Sequence, residues 1–342
     1  MTTGLRLRGH DLFDELPTTM SACQEAAPAT PEGRIRVEYR DLESLPADAL
    51  CVVRGVGAGQ QVSAAPLTID VHLQRLGGSA AEVWYANGRV RAGRAGLVRY
   101  AHDDELLVGV VEEDERAHGS LGQATETLYA AIRTFQQECE FPHLLRMWNY
   151  LDAINEGHGD AERYRQFCVG RALGMGKHVG RLLPAATAIG RQQATHRLQI
   201  FWVAARAAGT AIENPRQVSA YHYPRSHGPV SPTFSRGMIA SDGAVLVSGT
   251  ASIVGHVSQH EGDAHAQLEE TLRNLAALTA HASARRGPAR PRNLLKVYVR
   301  DPTLVPMVAA GLQAAYPDTS PIFLAGDICR RELLLEIECM QL

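Results

Sequence analysis

The sequence predicts an α+β fold made of two β-α-β-α-β units. Predicted strands and helices alternate in the same order in two stretches of the chain, and the first helix of each stretch opens with Gln, Glu, Thr and Leu at matching offsets. These openings are Gln123-Ala-Thr-Glu-Thr-Leu128 and Gln267-Leu-Glu-Glu-Thr-Leu272. Such alternation is typical of α/β and α+β architectures, and the matched helices favour two copies of one unit over a chance pattern.

Each unit is defined by apolar runs that polar segments separate. The first comprises a strand at 106–111, a helix at about 123–137, a strand at 144–150, a helix at about 160–173 and a closing strand at 198–203. The second repeats this order at 245–250, about 267–281, 294–300, about 302–316 and 322–325. We therefore divide the chain into 1–205, the first unit with extra N-terminal strands, and 206–342, the second unit.

The first hundred residues contain a predicted loop at 11–33 and short strands at 34–39, 50–53, 67–72 and 83–85. The glycines within 54–59 follow a strand, but no helix opens after them and no acidic residue stands at the distance that a ribose would require. The region 285–293 is predicted to be a solvated basic loop. None of these segments predicts a nucleotide site.

Composition excludes several classes of function. The net charge of −3 with dispersed Lys and Arg predicts no nucleic-acid partner. No apolar run approaches the ~20 residues that span a bilayer, so we expect a cytoplasmic protein with no membrane segment. Six cysteines without a CxxC pair argue against structural zinc or a disulfide framework. His256, His260 and His265 have no compact carboxylate partner, so no metal site is predicted.

The last sixteen residues carry the strongest chemical signal, because Glu336 and Glu338 interrupt an otherwise apolar strand. Side chains alternate along a strand, so Leu335 and Ile337 point to one face and both glutamates to the other. Burial and a like charge both raise a carboxyl pKa toward the range of a general acid. Two solvated glutamates at a sheet edge are the alternative. No Gly-x-Ser-x-Gly elbow occurs, which leaves acid catalysis by a carboxylate, or binding alone.

Candidate recognition residues fall in three clusters that combine arginine with tyrosine. Arginine matches carboxylates with a planar fork, and tyrosine adds a hydroxyl on a rigid ring, which suits a small, multiply anionic, unsaturated ligand. Each residue taken singly could also be structural. The clusters are residues 148–155 with Arg163 and Tyr164, residues 221–225, and residues 298–300.

Together these motifs resemble the chorismatase family. The resemblance covers most of the chain and implies a YjgF-like (chorismate mutase-like) fold in each unit, a β-sheet with helices packed on one face. It implies cleavage of chorismate to pyruvate and a cyclic carboxylic acid without metal or organic cofactor, in a monomer or a YjgF-like homo-oligomer. The motifs are Arg8-Gly-His10, Trp148-Asn-Tyr150, Tyr221-His-Tyr-Pro224, Phe234-Ser-Arg236, Ser248-Gly-Thr-Ala-Ser-Ile-Val-Gly-His256, Asp327-Ile-Cys-Arg330 and Glu336-Ile-Glu338.

The resemblance also implies roles for single residues. Glu336 is the acid that protonates the enol ether, and Glu338 is its neighbour or structural partner. We expect Arg163 and Arg300 to bind the two carboxylates of the substrate, with Arg225 or Arg330 as alternatives. Tyr150 and Tyr221 would fix the ring and the enolpyruvyl group, and the backbone at Gly249, Thr250 and Ala251 would approach the ligand closely.

The product is predicted from Cys329, seven residues before the proposed acid. A cysteine there resembles the branch of the family that aromatises the ring to 3-hydroxybenzoate, where the thiol would orient the ring or deprotonate it. Other branches yield a trans-dihydroxycyclohexadiene carboxylate by hydrolysis, or 4-hydroxybenzoate as well. Two other classes stay open: a YjgF-like imine or enamine hydrolase, and a non-catalytic metabolite-binding protein.

Overall fold

Two large β-sheets pack face to face, and four helices cover their outer faces. The computed structural model describes residues 35–42, 45–56, 65–176, 183–286 and 292–342. The predicted loop at 11–33 and the motif at 8–10 lie outside the described residues, as do parts of the segments 54–59 and 285–293. The chain first forms four strands: β1 (Arg36–Arg40), β2 (Ala49–Val56), β3 (Leu67–Gly78) and β4 (Ala81–Tyr85).

The first repeat forms a six-stranded sheet covered by two helices. Its elements are β5 (Arg91–Ala95), β6 (Val98–His102), β7 (Leu106–Asp114), α1 (Leu121–Glu138), β8 (His143–Asp152), α2 (Arg163–Met175), β9 (Ala185–Arg191) and β10 (Arg197–Ala205). The strands lie in the order β5-β6-β7-β10-β8-β9. Ser120 caps α1, since its hydroxyl accepts a hydrogen bond from the backbone N–H of Gln123, 3.2 Å away.

The second repeat has the same order of elements, with a small two-stranded hairpin inserted before its first helix. The elements are β11 (Thr210–Ile212), β12 (Gly237–Ile239), β13 (Val245–Thr250), β14 (Ile253–Val254), β15 (Val257–Ser258), α3 (Ala264–Arg286), β16 (Asn293–Val299), α4 (Val305–Ala315), β17 (Ile322–Ala325) and β18 (Leu335–Gln341). The predicted fold class and the duplication are thereby confirmed.

One part of the predicted repeat is wrong. The strand at 322–325 was matched with 198–203, but sheet order and direction match β17 with β9, since each lies parallel to the strand before it, and match β18 with β10. The sequence of β9, Ala-Ala-Thr-Ala-Ile-Gly-Arg, is rich in alanine and carries a glycine, with no aromatic and only two β-branched residues, so it gives a weak strand signal. The predicted division at 205/206 falls in the connection between β10 and β11 and stays a prediction.

The second sheet has ten strands, in the order β1-β4-β2-β3-β17-β16-β18-β13-β12-β11. Three strands separate β4 from β16 in this order, so a flat sheet would place them about 19 Å apart. Their side chains nevertheless meet, with Glu82 Oε2 and Lys296 Nζ 2.8 Å apart. The sheet therefore curls, and its N-terminal strands turn back over the inner face of the second repeat.

The described residues form four apolar cores, a small one on β2 and β4 and three that hold these layers together. The helices α1 and α2 pack on the six-stranded sheet, and α3 and α4 pack on β13, β16 and β18. The largest core lies between the two sheets and includes Trp148, Tyr150, Phe201, Tyr298 and Met340. Within the described residues, no helix is long and apolar enough to cross a membrane.

Candidate active site

The strand β18 separates apolar from acidic side chains as its sequence predicts. Leu335, Ile337 and Cys339 lie in the core beneath α3 and α4. Glu336 and Glu338 point to the opposite face, between the two sheets, and each is only 4 % exposed. The structure therefore excludes the alternative of two solvated glutamates at a sheet edge.

Gly249 makes room for the carboxyl group of Glu336. The pairing of β13 with β18 shifts register between Val247 and Thr250, which places a β-bulge around Gly249. A Cβ atom at this glycine would lie 1.8 Å from Glu336 Oε1 and 3.0 Å from Thr187 Oγ1. Only glycine therefore leaves space for the Glu336 carboxyl at this position, as is common where a strand glycine allows close approach.

Glu338 lies in a dense set of cations and donors. Its Oε1 is 3.2 Å from Arg146 Nη2 and accepts a hydrogen bond of 3.0 Å from the Tyr298 hydroxyl. Its Oε2 accepts a bond of 2.8 Å from Trp148 Nε1 and lies 3.7 Å from Lys296 Nζ. Glu338 is therefore held rigidly as an anion.

Glu336 differs sharply from its neighbour. Burial, and then the negative charge of Glu338, raise the pKa of Glu336 to about 8, while Arg146 and Arg236 oppose that rise. Burial acts on Glu338 in the same direction, but Lys296 and then Arg146 outweigh it and lower its pKa. At neutral pH the pair therefore consists of one neutral carboxylic acid and one carboxylate, a division of roles typical of acid catalysis.

The neutral acid opens into a cavity of about 210 Å³. The cavity is enclosed by α2, β9, the segment 223–236, the bulge of β13 and the loop 329–332. Its lining is rich in arginine and aromatic rings, and these side chains include Tyr164, Arg165, Phe167, Arg171, Tyr223, Phe234, Arg236 and Arg330.

Two of these arginines carry buried donors that have no protein partner within the described residues. Arg171 is 4 % exposed and Arg236 is 5 % exposed. The Nε and Nη2 atoms of Arg171 and the Nε atom of Arg236 make no hydrogen bond. Arg236 Nη2 donates to the Tyr223 hydroxyl, 2.6 Å away, which leaves the proton of that hydroxyl free for another acceptor. Unpaired guanidinium donors beside a cavity fit an anionic ligand.

The alternative arginine Arg330 and four of the predicted site residues line this cavity: Glu336, Cys329, Gly249 and Ala251. Two others lie behind the acid. Glu338 binds the cations described above, and the Tyr150 hydroxyl is 2.8 Å from that of Tyr298. These two positions can act on the acid, but they lie outside the cavity lining.

The remaining predicted residues also lie outside the lining. Arg163 pairs with Glu115, 2.7 Å apart, and Arg300 pairs with Asp327, also 2.7 Å apart. Arg225 is exposed and pairs with an aspartate, Tyr221 is 38 % exposed and contacts His222, and the Thr250 hydroxyl donates to the Ser248 carbonyl. The structure thus brings the acid and the bulge together and separates them from these arginines.

Sequence reasoning missed Arg171, Arg236, Tyr223 and Arg146 as site residues. Arg236 and Tyr223 belong to the motifs Phe234-Ser-Arg236 and Tyr221-His-Tyr-Pro224, so the sequence carries a signal for both segments. Arg171 carries no such signal, because α2 contains three arginines and only the packing of the helix shows which one is buried against the cavity.

Cys329 borders the cavity beside the acid. Burial, and then the charge of Glu336, raise the pKa of this thiol to about 12. A thiol with that pKa stays protonated at neutral pH, so it can pack or orient a ring but is a poor base.

The three histidines for which the sequence predicts no metal each contact another side chain. His256 Nδ1 lies 3.0 Å from His227 Nε2. His260 lies 3.5 Å from Glu270, and His265 lies 3.6 Å from Glu269. Across the described ranges, no three His, Cys, Asp or Glu side chains cluster as a metal site would require.

Comparison with known proteins places this architecture in a family. The family model described as "Chorismatase FkbO/Hyg5-like, N-terminal" matches residues 82–204. A 3-hydroxybenzoate synthase of Streptomyces hygroscopicus is 38 % identical, over 75 % of this chain and 80 % of the relative. A chorismatase of the same organism is 35 % identical, over 82 % of this chain and 84 % of the relative.

A solved structure agrees with these relatives. A crystal structure of a chorismatase superposes with a TM-score of 0.79 at 30 % identity, over 90 % of this chain and 98 % of that chain. The fold, the duplicated sheets and the relatives agree, and the chain belongs to the chorismatase family.

Proposed function

We propose that the protein cleaves the enolpyruvyl ether of chorismate to pyruvate and a cyclic carboxylic acid, with Glu336 as the acid. The single observation that carries this proposal is a neutral, buried carboxylic acid that opens into an arginine-lined cavity. Membership of the chorismatase family, which includes a 3-hydroxybenzoate synthase, supports the same reaction.

The chemistry requires such an acid. Chorismate is a dianion with an enol ether, and the reaction begins when Glu336 gives its proton to the terminal methylene carbon. The new C–H bond takes the electrons of the C=C bond and leaves an oxocarbenium ion. Protonation of carbon is slow in water, and a positioned acid whose pKa lies near the working pH accelerates it.

Two arginines are suited to the two carboxylates. Arg171 and Arg236 offer the unpaired, buried N–H groups that planar carboxylates bind in a bidentate manner. Arg330 lies over the Tyr223 ring, 5.4 Å from its centroid, and adds positive charge on the same side. We assign the anion contacts to these lining residues in place of Arg163, Arg225 and Arg300, whose guanidinium groups already bind carboxylates of the protein.

The product branch follows from what attacks the activated ether. In hydrolysis a water adds to the oxocarbenium carbon and the ring oxygen leaves, giving a dihydroxycyclohexadiene acid. In the aromatising route the ring hydroxyl displaces the pyruvyl oxygen and the ring loses one proton, which balances the proton supplied by Glu336. We propose 3-hydroxybenzoate, supported by Cys329 at the cavity and by the 3-hydroxybenzoate synthase relative.

Incubation with chorismate in D2O tests the proposal. We expect pyruvate with one deuterium in its methyl group, since the carbon receives a solvent-exchanged proton from the acid, and we expect 3-hydroxybenzoate by mass spectrometry. Chorismate binding without turnover would support a metabolite-binding protein, and hydrolysis of an imine substrate alone would support the imine or enamine hydrolase. A cytoplasmic location and the oligomeric state, monomer or homo-oligomer, stay predictions.

A further inference from the structure

Two buried charged residues behind the acid do not line the cavity, yet they are connected to it. Lys296 is 2 % exposed and Glu82 is fully buried. Lys296 Nζ lies 2.8 Å from Glu82 Oε2 and 3.7 Å from Glu338 Oε2. The other oxygen of Glu82 accepts a hydrogen bond of 2.6 Å from Trp84 Nε1. A continuous chain of charges therefore runs from β4 through β16 to the carboxylate beside Glu336.

The charges of this cluster balance without Glu336. Lys296 and Arg146 contribute two positive charges, and Glu82 and Glu338 contribute two negative charges. Among the residues that the structure describes, none donates a hydrogen bond to Glu336 that would stabilise an anion there. A third carboxylate charge would thus have no cation of its own in the cluster, and a buried charge without a partner is costly. Arg236 faces Glu336 from outside the cluster, but it also borders the cavity in which we propose that the anionic substrate binds.

We propose that Lys296 and Glu82 are positioning residues that hold Glu338 as the ionised member of the pair and thereby keep the transferable proton on Glu336. The proposal rests on the proposed function of Glu336 as the acid. It assigns the two residues a role beyond stability, because a buried ion pair by itself often stabilises a protein no more than apolar residues of the same volume.

The direction of the effect follows from the groups that face each carboxyl. Glu336 faces Glu338 on its own strand, Arg146 on β8, Arg236 before β12 and Cys329 in the preceding loop. Glu338 also faces Lys296, Trp148, Tyr298 and Thr187. Of the two cations that favour an anion at Glu338, Arg146 also faces Glu336 and Lys296 does not. Removal of Lys296 should therefore let the shared proton move from Glu336 to Glu338.

The experiment compares Lys296→Met, Glu82→Gln and the double variant. Lys296→Met should lower kcat about tenfold, since one pKa unit of difference between the two carboxyls is a tenfold change in proton placement, while KM stays within about twofold. The double variant restores the charge balance and should recover most of kcat. Glu82→Gln alone removes a negative charge and leaves the cluster with a net positive charge, which favours the anion of Glu336 and lowers its pKa. The alkaline limb of the kcat/KM profile should therefore move to lower pH by a few tenths of a unit.

The matched control is Glu270→Gln, a buried glutamate on α3 that pairs with Arg216 and Arg273. It should leave the kcat of the folded protein and its pH profile unchanged. A double variant no more active than Lys296→Met, or an unchanged alkaline limb in Glu82→Gln, would overturn the proposal. Glu82→Gln is nearly isosteric and should fold. If Lys296→Met does not fold, the alkaline limb of Glu82→Gln alone therefore tests the proposal.

An infrared readout separates this proposal from the proposed function. The C=O stretch of a neutral carboxylic acid that disappears in Glu336→Gln can be followed against pH without substrate. We expect its loss at lower pH in Glu82→Gln than in the wild type. If that shift occurs while chorismate yields no pyruvate, the positioning role stands and the reaction assignment fails. If pyruvate forms and the band does not shift, the positioning role fails alone.

Discussion

The two repeats share a topology but differ at the strand that completes each sheet. Arg146 and Trp148 of β8 occupy the places that Lys296 and Tyr298 hold on β16. Opposite them, β10 presents Val203 and Phe201, whereas β18 presents Glu338 and Glu336. Equivalent cations from both repeats therefore converge on carboxylates that only the second repeat supplies.

A second difference lies in the neighbouring strand. The pairing of β7 with β10 is regular, while that of β13 with β18 contains the bulge at Gly249. The first repeat in turn supplies Arg171 from α2. Duplication thus gives a symmetric frame to an asymmetric site: the second repeat contributes the proposed acid together with Arg236 and Arg330, and the first contributes Arg171 and, through Arg146, part of the support for Glu338.

The largest expected effect removes the acid that distinguishes the second repeat. Glu336→Gln should lower the rate of pyruvate release by about 10²–10⁴-fold with chorismate binding retained, because the amide keeps the shape of the acid but cannot protonate carbon. Coupled pyruvate assays and calorimetry measure the two quantities. The wild-type rate should also fall as pH rises through about 8, where Glu336 loses its proton.

Glu338→Gln is the paired comparison and should lower the rate much less than Glu336→Gln. It should also move the alkaline limb to lower pH, since it removes the negative charge that raises the pKa of Glu336. If Glu338→Gln were the more damaging variant, the two roles would have to be exchanged.

The next effect tests the contribution of the first repeat. Arg171→Gln should raise KM at least about thirtyfold, because removing one side of a desolvated charged contact costs about 2–5 kcal/mol. Steady-state kinetics measure it. Arg163→Gln on the same helix is the control, and we expect little change in KM because Arg163 binds Glu115 outside the cavity. Equal KM values for the two variants would refute the assignment of Arg171.

A smaller effect compares glycines on the corresponding strands β13 and β7. Gly249→Ala should lower kcat about tenfold or more, because its Cβ would displace the Glu336 carboxyl. Gly109→Ala would meet the ring of Trp202 on the helix side, so it should cost stability, about 1–3 kcal/mol, with the kcat of folded protein kept. Kinetics together with thermal unfolding distinguish the two. Loss of kcat in both would show that the bulge has no special relation to the acid.

The smallest expected effect on rate concerns product choice. Cys329→Ala should leave pyruvate release nearly unchanged, because proton transfer from Glu336 precedes the branch. The products should shift toward the dihydroxycyclohexadiene acid as space opens for water. Chromatography with mass spectrometry gives the ratio, with Cys168→Ala, another cavity thiol, as control. A ratio equal to that of the wild type would leave Cys329 a packing residue.

Much of the fold could be predicted because it depends on local pattern. Apolar runs placed β7, β8, β13, β16 and β17 within a few residues of their observed bounds, and period-2 alternation placed both glutamates on one face. The strands β5, β6, β9, β11 and β12 were missed, because they are short, rich in glycine or alanine, or exposed.

The candidate site was harder to predict because arginine gives no local sign of its partner. Arg163 and Arg171 lie on one helix and differ only in what the tertiary fold brings near them, a glutamate of the first repeat or an open cavity. Tyr221 and Tyr223 lie in a turn region without periodicity, so nothing in the sequence shows which ring is buried. The position of the two glutamates could be predicted because its signal, a charge in an apolar strand, is itself local. The choice of Glu336 as the acid came from the family resemblance and stays a prediction.

The curl of the ten-stranded sheet sets a limit on how far this enzyme can be shortened. A chain that began at β5 would keep every residue that lines the cavity. It would also lose Glu82 and leave the ammonium group of Lys296 without its nearest anion, inside an interior opened by the loss of four strands. A minimal enzyme designed from the cavity lining alone would therefore retain its substrate contacts but lack the Lys296–Glu82 pair that we propose keeps the transferable proton on Glu336.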